Sequence, residues 1–218
     1  MKNKKSLLLL LSVVLYATQI HASSSVSLLE GYEVSVEQES LKKGATIYYN
    51  LCRMCHSLKY IKYQHLLEIG FSEAEVNALR QGHLMNKAIV STATPENAMK
   101  MFGMVPPDLS IMAKARKHGP EYIYSLMLSY VENSEGIYEN RIFNGIKMPD
   151  VFSYSIAQGE QEKQKIQKDA ADVASFLTWT SDPHASERKT MGFYVIAYLL
   201  VLSGLMYLVM RRVWRRLD

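Results

Sequence analysis

The stretch Cys52-Arg53-Met54-Cys55-His56 decides how this chain is read, because it contains both of the cysteines in 218 residues and sets them three apart with a histidine directly behind. On one helical turn, residues i and i+3 point to the same side. Two such thiols can each form a thioether to the two vinyl groups on one edge of a haem, and the following imidazole is carried to the iron. The motif therefore predicts one covalent c-type haem attached through Cys52 and Cys55, with His56 as an axial ligand. The rival reading of a C-x-x-C pair in an exported protein is a thiol-disulfide oxidoreductase, whose reactive cysteine opens a helix after a strand. Here a helical pattern precedes Cys52 and no strand pattern surrounds it. A structural metal site is disfavoured because no second Cys or His pair stands at ligand spacing.

Upstream, Leu41, Ala45 and Tyr48 or Tyr49 follow a helical period toward Cys52, with Ser40 as the expected cap. Downstream, Asp108 is expected to cap a helix over Leu109 to Lys117 that ends before Gly119, and Pro120 suits the first turn of the next, EYIYSLMLSYV. The clearest pattern is Ile166, Ala170, Val173, Ala174 and Leu177, one apolar stripe on a helix stopped by Asp182-Pro183. Strand-like alternation is confined to Val34 to Val36, and residues 131 to 152 read as a long irregular stretch. The prediction is an all-α, cytochrome c-like domain in which a large apolar prosthetic group completes the core.

The two ends of the sequence have their own composition. Residues 1 to 22 run from Lys2, Lys4 and Lys5 through an apolar core, Leu7 to Tyr16, to Ile20-His21-Ala22. This is the layout of a secretory signal peptide cleaved after Ala22, or alternatively of an uncleaved signal anchor. Residues 192 to 210 are uncharged and mostly apolar, long enough as a helix to span roughly 30 Å of hydrocarbon. The basic tail that follows, residues 211 to 218 with Arg211, Arg212, Arg215 and Arg216, favours the cytoplasmic side. The expected division is thus a signal peptide over 1–22, an exported haem domain over 23–186, a polar joint over 187–191, an anchor over 192–210 and the tail. The formal net charge of +4 comes from those ends: residues 23 to 190 carry 18 Lys and Arg against 20 Asp and Glu. Without a basic excess on the folded part, nucleic-acid binding loses its physical basis.

A haem used for electron transfer needs a sixth ligand that closes the iron to oxygen, and methionine sulfur does so while raising the potential. Met99, Met101, Met112 and Met127 fall in expected helices, where core packing is the ordinary role. Met54 and Met85 lie too near the attachment turn. Met104 and Met148 sit in loops beside prolines, and Met148, three residues after Gly145, is the modest favourite on spacing. His65, His83 and His118 are the possible bis-histidine partners.

Taken in order, CRMCHSLKYIKYQHL, VPPDLSIMAKARKHGPEYIYSLM, the NGIKMP loop and DVASFLTWTSDPHASERKTMGFYV resemble the cytochrome c1 family, the haem subunit of the quinol–cytochrome c reductase (bc1) complex. That resemblance implies Met148 opposite His56, Arg116 paired with a haem propionate, and Pro107, with its neighbours Pro106 and Leu109, lining the haem pocket. It also implies electron transfer from a Rieske iron-sulfur subunit to a cytochrome c, beside cytochrome b in a respiratory-chain membrane, as an electron-transfer subunit rather than a catalyst alone. The haem domain is expected on the periplasmic face, where its acidic balance favours a basic acceptor. A free-standing anchored electron carrier is the alternative. The sequence departs from the family in the short interval between His56 and Pro106, expected as a trimmed surface loop, and in the Pro149-Asp150-Val151-Phe152 run, where many members have a second proline.

Overall fold

A computed structural model of the protein describes residues 28–29 and 32–215. The expected signal peptide and the last three residues of the tail lie outside the described residues.

Three helices make the frame. Helix α1 (Gln38–Ile47) continues without a break into one π-helical turn, Tyr48–Cys52. The intervening chain carries α2 (Glu73–Arg80), α3 (Pro95–Phe102), α4 (Met112–Ala115) and α5 (Gly119–Leu128). Helix α6 (Glu160–Ser181) then packs against both α1 and α5. Its predicted stripe is all buried, and Phe176, fully buried, extends it. From α1 the stripe meets Leu41, Ala45 and Tyr48, and from α5 it meets Ile123, Met127 and Leu128. These apolar faces leave water together, which is what fixes the three helices against one another.

Gly44 sets how closely α1 and α6 approach, because a Cβ there would stand 2.6 Å from the Asp172 carbonyl carbon and 2.9 Å from the Phe176 Cβ. That closeness also reassigns Ser40. It does not cap α1, which starts earlier at Gln38 after Glu37; its hydroxyl donates to the buried Asp172 Oδ1 at 2.6 Å instead. A buried carboxylate is a stronger acceptor than the exposed helix start is a donor. The Lys43 ammonium sits 3.1 Å from Asp172 Oδ2, as a charge contact rather than a directed hydrogen bond, and 2.8 Å from Asp169. Burial pulls the Asp169 carboxyl up, but the ammonium groups of Lys43 and Lys165 outweigh it and hold the carboxyl below its usual 3.8. A depressed folded value means stability that is present above the unfolded pKa and lost as pH falls through the folded one. Asp169→Asn is therefore expected to lower stability at pH 7 by about 1 kcal/mol or less, since the site is partly exposed. Thermal melts should show that difference shrinking as the pH is taken below 4; a difference independent of pH would refute the assignment.

Four expectations are corrected by the structure. Val34 to Val36 forms no strand, whereas strands occur elsewhere: β1 (Leu58–Lys62) pairs antiparallel with β2 (Ala88–Ile89), and β3 (Tyr130–Glu132) with β4 (Tyr138–Asn140). The second pair makes a hairpin inside the stretch expected to be irregular. Its turn is closed by Asn133, whose side-chain oxygen accepts from the Glu135 and Ile137 amides, each at 2.9 Å. A turn held by one local side chain and two backbone bonds leaves no periodic signal. Secondly, the helix expected over Leu109 to Lys117 shrinks to α4, because Asp108 caps a turn: Oδ1 accepts from the Ser110 amide and Oδ2 from the Lys59 amide, both at 2.9 Å. Thirdly, the interval from His56 to Pro106, where no strand was expected, is not helical throughout: it folds into β1, a 3-10 turn (Tyr63–Ile69), α2, β2 and α3. Tyr63, Leu66, Ile69 and Val76 from it enter the core.

The fourth correction concerns the anchor. Helix α7 (Ala185–Trp214) is one continuous rod, so the break after α6 falls at Asp182 to His184, and residues 187–191 are its early turns rather than a joint. From Glu187 to Trp214 it is long and apolar enough to cross a membrane, and its apolar stretch is not buried against the described residues. Asp182 ties the break down, pairing with Lys114 of α4 at 2.8 Å and with Arg188 of α7.

Candidate functional site

The π-helical turn places the cysteines. Widening the helix by one residue lets the Arg53 amide bond the Tyr48 carbonyl at 2.8 Å, and the Cys52 carbonyl then accepts from both the Cys55 amide (3.1 Å) and the His56 amide (2.9 Å). Insertions of this kind are frequent at functional sites because they re-aim side chains within a helix. Cys52 and Cys55 are both half-buried free thiols. Beneath them the fully buried Tyr48 donates its hydroxyl to the His56 carbonyl at 2.7 Å.

His56 is the best-determined group of the site. Its Nδ1 lies 2.7 Å from the Pro107 carbonyl oxygen, which can only accept, so the proton sits on Nδ1 and Nε2 keeps a free lone pair. Burial lowers the imidazole pKa, and the Pro107 carbonyl pulls weakly the other way, leaving the ring neutral at physiological pH. A neutral imidazole whose other nitrogen donates to a backbone carbonyl is the ordinary preparation of a metal ligand. Pro107 thus has a more specific role than lining a pocket, and its ring is exposed. Its carbonyl is held still because the chain on either side of the contact is zipped together: the Leu109 amide donates to the Ser57 carbonyl at 2.9 Å and the Tyr60 amide to Ser110 Oγ at 3.1 Å.

Two further carbonyls of the attachment turn are met by the chain after β2, with the Thr92 amide donating to Arg53 and the Ala93 amide to Met54, each at 3.1 Å. Arg53 itself stacks on Tyr49 and donates to the Val90 carbonyl at 3.1 Å. Between these segments a cleft of about 320 Å³ opens onto Cys55, walled by Val90, Ala93, Ala98, Val105 and Pro106. Leu51 and Met54 in the turn, and Val105 beside the prolines, are apolar yet exposed. Two thiols on one turn, a neutral imidazole with a free Nε2 and uncovered apolar neighbours fit a covalent haem. They do not fit a thiol oxidoreductase: burial pushes the Cys52 thiol up to about 12, whereas a nucleophilic cysteine needs the opposite shift.

The other predicted residues stand apart from this assembled half. Arg116 follows α4 with an exposed side chain and has no ion-pair partner among the described residues. Met148 is half-buried on the loop after β4, where Gly145 adopts a positive φ of 72°. No hydrogen bond among the described residues joins either one to the attachment turn. Of the competing methionines, Met127 is core as expected, but Met99 (51% exposed) and Met101 (69%) lie on the outer side of α3, so their helical placement did not imply burial. The histidines serve local structure. His65 accepts from the Lys62 amide, His83 stacks on Tyr63, and His118, at φ 52°, turns the chain into α5. Sequence reading missed Tyr130, whose hydroxyl donates to the Met148 carbonyl at 2.7 Å, and no spacing rule would have found a contact between residues 18 apart.

A profile of the Cytochrome C1 family matches residues 27–92 and 80–217. The cytochrome c1 of Allochromatium vinosum is 29% identical over 247 aligned residues, covering 97% of this chain and 98% of that protein. The ammonia monooxygenase gamma subunit of Nitrosomonas europaea is 26% identical, covering 95% of this chain and 96% of that protein. A cytochrome b/c1 of Bradyrhizobium diazoefficiens is 27% identical over 82% of this chain, which matches 33% of that longer protein.

Proposed function

The chain belongs to the cytochrome c1 family, and from this premise we propose that it takes electrons singly from a Rieske iron-sulfur subunit and passes them to a basic cytochrome c on the outer face of the membrane. It is a membrane-anchored c-type cytochrome of the bc1 complex, an electron-transfer subunit of a respiratory chain carrying covalent haem c. When bound, haem c supplies a one-electron ferric/ferrous couple. The observation that carries the reading is the His56 imidazole, held neutral and oriented by the Pro107 carbonyl with Nε2 free.

The protein's own residues do the rest. Cys52 and Cys55 would fasten the group to a turn braced by the Arg53, Cys55 and His56 amides within it and by Thr92 and Ala93 from outside. Met148 would hold the iron through its thioether sulfur, and Arg116, exposed and without an ion-pair partner among the described residues, would offer a planar donor fork to a propionate. Helix α7 holds the domain at the bilayer, with Arg211 and Arg212 on the cytoplasmic side and the haem domain on the other. Cytochrome b is the membrane partner, a reading supported by the relative whose name joins b with c1. The net negative charge of residues 23–190 favours weak docking of a basic acceptor that leaves after each transfer.

Purification from membranes in mild detergent tests the reading. Cytochrome b and a Rieske subunit are expected to co-purify, with a low-spin reduced-minus-oxidised c-type spectrum, and turnover with a basic cytochrome c should slow as salt rises. A protein that purifies alone would support the free-standing carrier, and salt-independent turnover would remove the docking argument.

A further inference from the structure

The loop that carries Met148 is fastened at three places by buried or half-buried polar groups outside the haem-attachment half of the site. At its start, Asn140 is 3% exposed; its amide donates to the Leu126 carbonyl at 2.7 Å and its side-chain oxygen accepts from the Ile142 and Phe143 amides at 3.0 and 3.1 Å. At its far end, Asp150 Oδ2 accepts from the Ser155 amide at 2.9 Å and the Ser155 hydroxyl at 2.7 Å. Between them Tyr130, itself 3% exposed, donates to the Met148 carbonyl at 2.7 Å.

We propose that Tyr130 is a positioning residue for Met148, holding the backbone of that residue so that its sulfur competes successfully for the haem iron against water and other small ligands. The inference rests on the reading of Met148 as an axial ligand and goes beyond it.

The physical reason lies in the weakness of the bond to be protected. A neutral thioether is a weak ligand, and small exogenous bases displace it whenever the peptide carrying it can swing away. Met148 is tied into no regular element, and Gly145 ahead of it, at φ 72° with nothing within 4 Å of its would-be Cβ, leaves room to move. Pro149 behind it restricts Met148 to extended conformations but contributes no N–H that could anchor the peptide. Among the described residues, the hydrogen bond to the main chain of Met148 comes from the Tyr130 hydroxyl. Tyr130 is held in turn, because it opens β3 and stands opposite Asn140 in the hairpin register. The hairpin thus transmits the rigidity of the α5 end, through Leu126 and Asn140, to the ligand loop. Burial, reinforced by the nearby Asp150 carboxylate, raises the phenol pKa, so the hydroxyl remains a donor across the physiological range.

The test uses the haem-loaded full-length protein and reads the ferric spectrum and its titration with imidazole. Tyr130→Phe removes the hydroxyl while leaving the ring in place. It is expected to weaken the far-red sulfur-to-iron charge-transfer band and to raise the apparent imidazole affinity roughly tenfold, the loss of one buried hydrogen bond. A wild-type band and wild-type imidazole affinity in Tyr130→Phe overturn the proposal. Ile123→Val, which trims a buried α5 side chain without touching the loop, controls for stability; if it raises imidazole affinity as much as Tyr130→Phe, the effect is global and the proposal falls. Met148→Ala reports on the premise separately: it should abolish the band outright, and a band that survives shows that another residue is the ligand, whatever Tyr130→Phe does.

Discussion

Replacing Cys52 and Cys55 together by serine is expected to abolish covalent haem attachment completely, the largest effect of any substitution considered for this chain. The two thiols project from one turn whose backbone is closed on the Cys52 carbonyl and pinned from below by Tyr48. Serine keeps that backbone but cannot form the thioethers. Acid extraction of the denatured double variant should release all of its haem and leave an unmodified peptide mass, whereas wild-type protein from a host competent in haem attachment keeps a covalent adduct. Either single variant should retain one linkage. An unmodified mass for the wild-type protein would end the haem reading altogether. The consequence reaches the fold as well, since exposed apolar side chains such as Leu51, Met54 and Val105 gather around the attachment turn. Without the prosthetic group these remain in water, so the double variant should also melt at lower temperature.

Gly44→Ala is expected to be strongly destabilising although it lies away from the haem. Two effects oppose each other there. Alanine is the better helix former by about 1 kcal/mol, and α1 is otherwise regular through this position. Against this, the new methyl group would meet the α6 backbone at Asp172, with its carbonyl carbon at 2.6 Å, and the Phe176 Cβ at 2.9 Å. Backbone cannot rotate out of the way as a side-chain tip can, so α1 and α6 must separate, opening the contacts of Ala170 and Val173 and stretching the Ser40 to Asp172 bond. Overpacking of this sort costs typically 1–3 kcal/mol and sometimes more, and here the larger value wins over propensity. An overpacking cost at the upper end of that range, less the propensity gain, leaves a net loss of about 2 kcal/mol, which corresponds to a fall in Tm of roughly 6 °C for a domain of this size. Melting followed by circular dichroism measures it; a Tm within about two degrees of wild type would mean that the helices are not in contact at Gly44. Because α1 leads directly into the attachment turn, the same change should lower the yield of haem-loaded protein.

These two outcomes concern different kinds of information. The haem chemistry was legible in five consecutive residues because thioether attachment needs only local geometry, two thiols on one turn and an imidazole next to them. The α6 stripe and the anchor were legible for a related reason: burial against a single face, or in lipid, imposes a period or a length that a sequence must carry. The order of four segments along the chain likewise resembled the cytochrome c1 family before any contact was known, and the family profile agrees.

What only the tertiary structure decided is which partner each polar group takes, since that depends on distances between segments far apart in the chain. Ser40 and Asp108 both looked like helix caps, and each instead bonds across the fold, to Asp172 and to the Lys59 and Ser110 amides. Pro107 read as a rigid pocket wall, and its carbonyl turned out to fix the tautomer of His56, 51 residues earlier. Tyr130 carried no signal at all, yet it holds the Met148 backbone. A hydrogen bond is short and directional, so it has no periodicity to leave in the sequence; it exists only once packing of the apolar stripes has brought its two ends within 3 Å or so of one another.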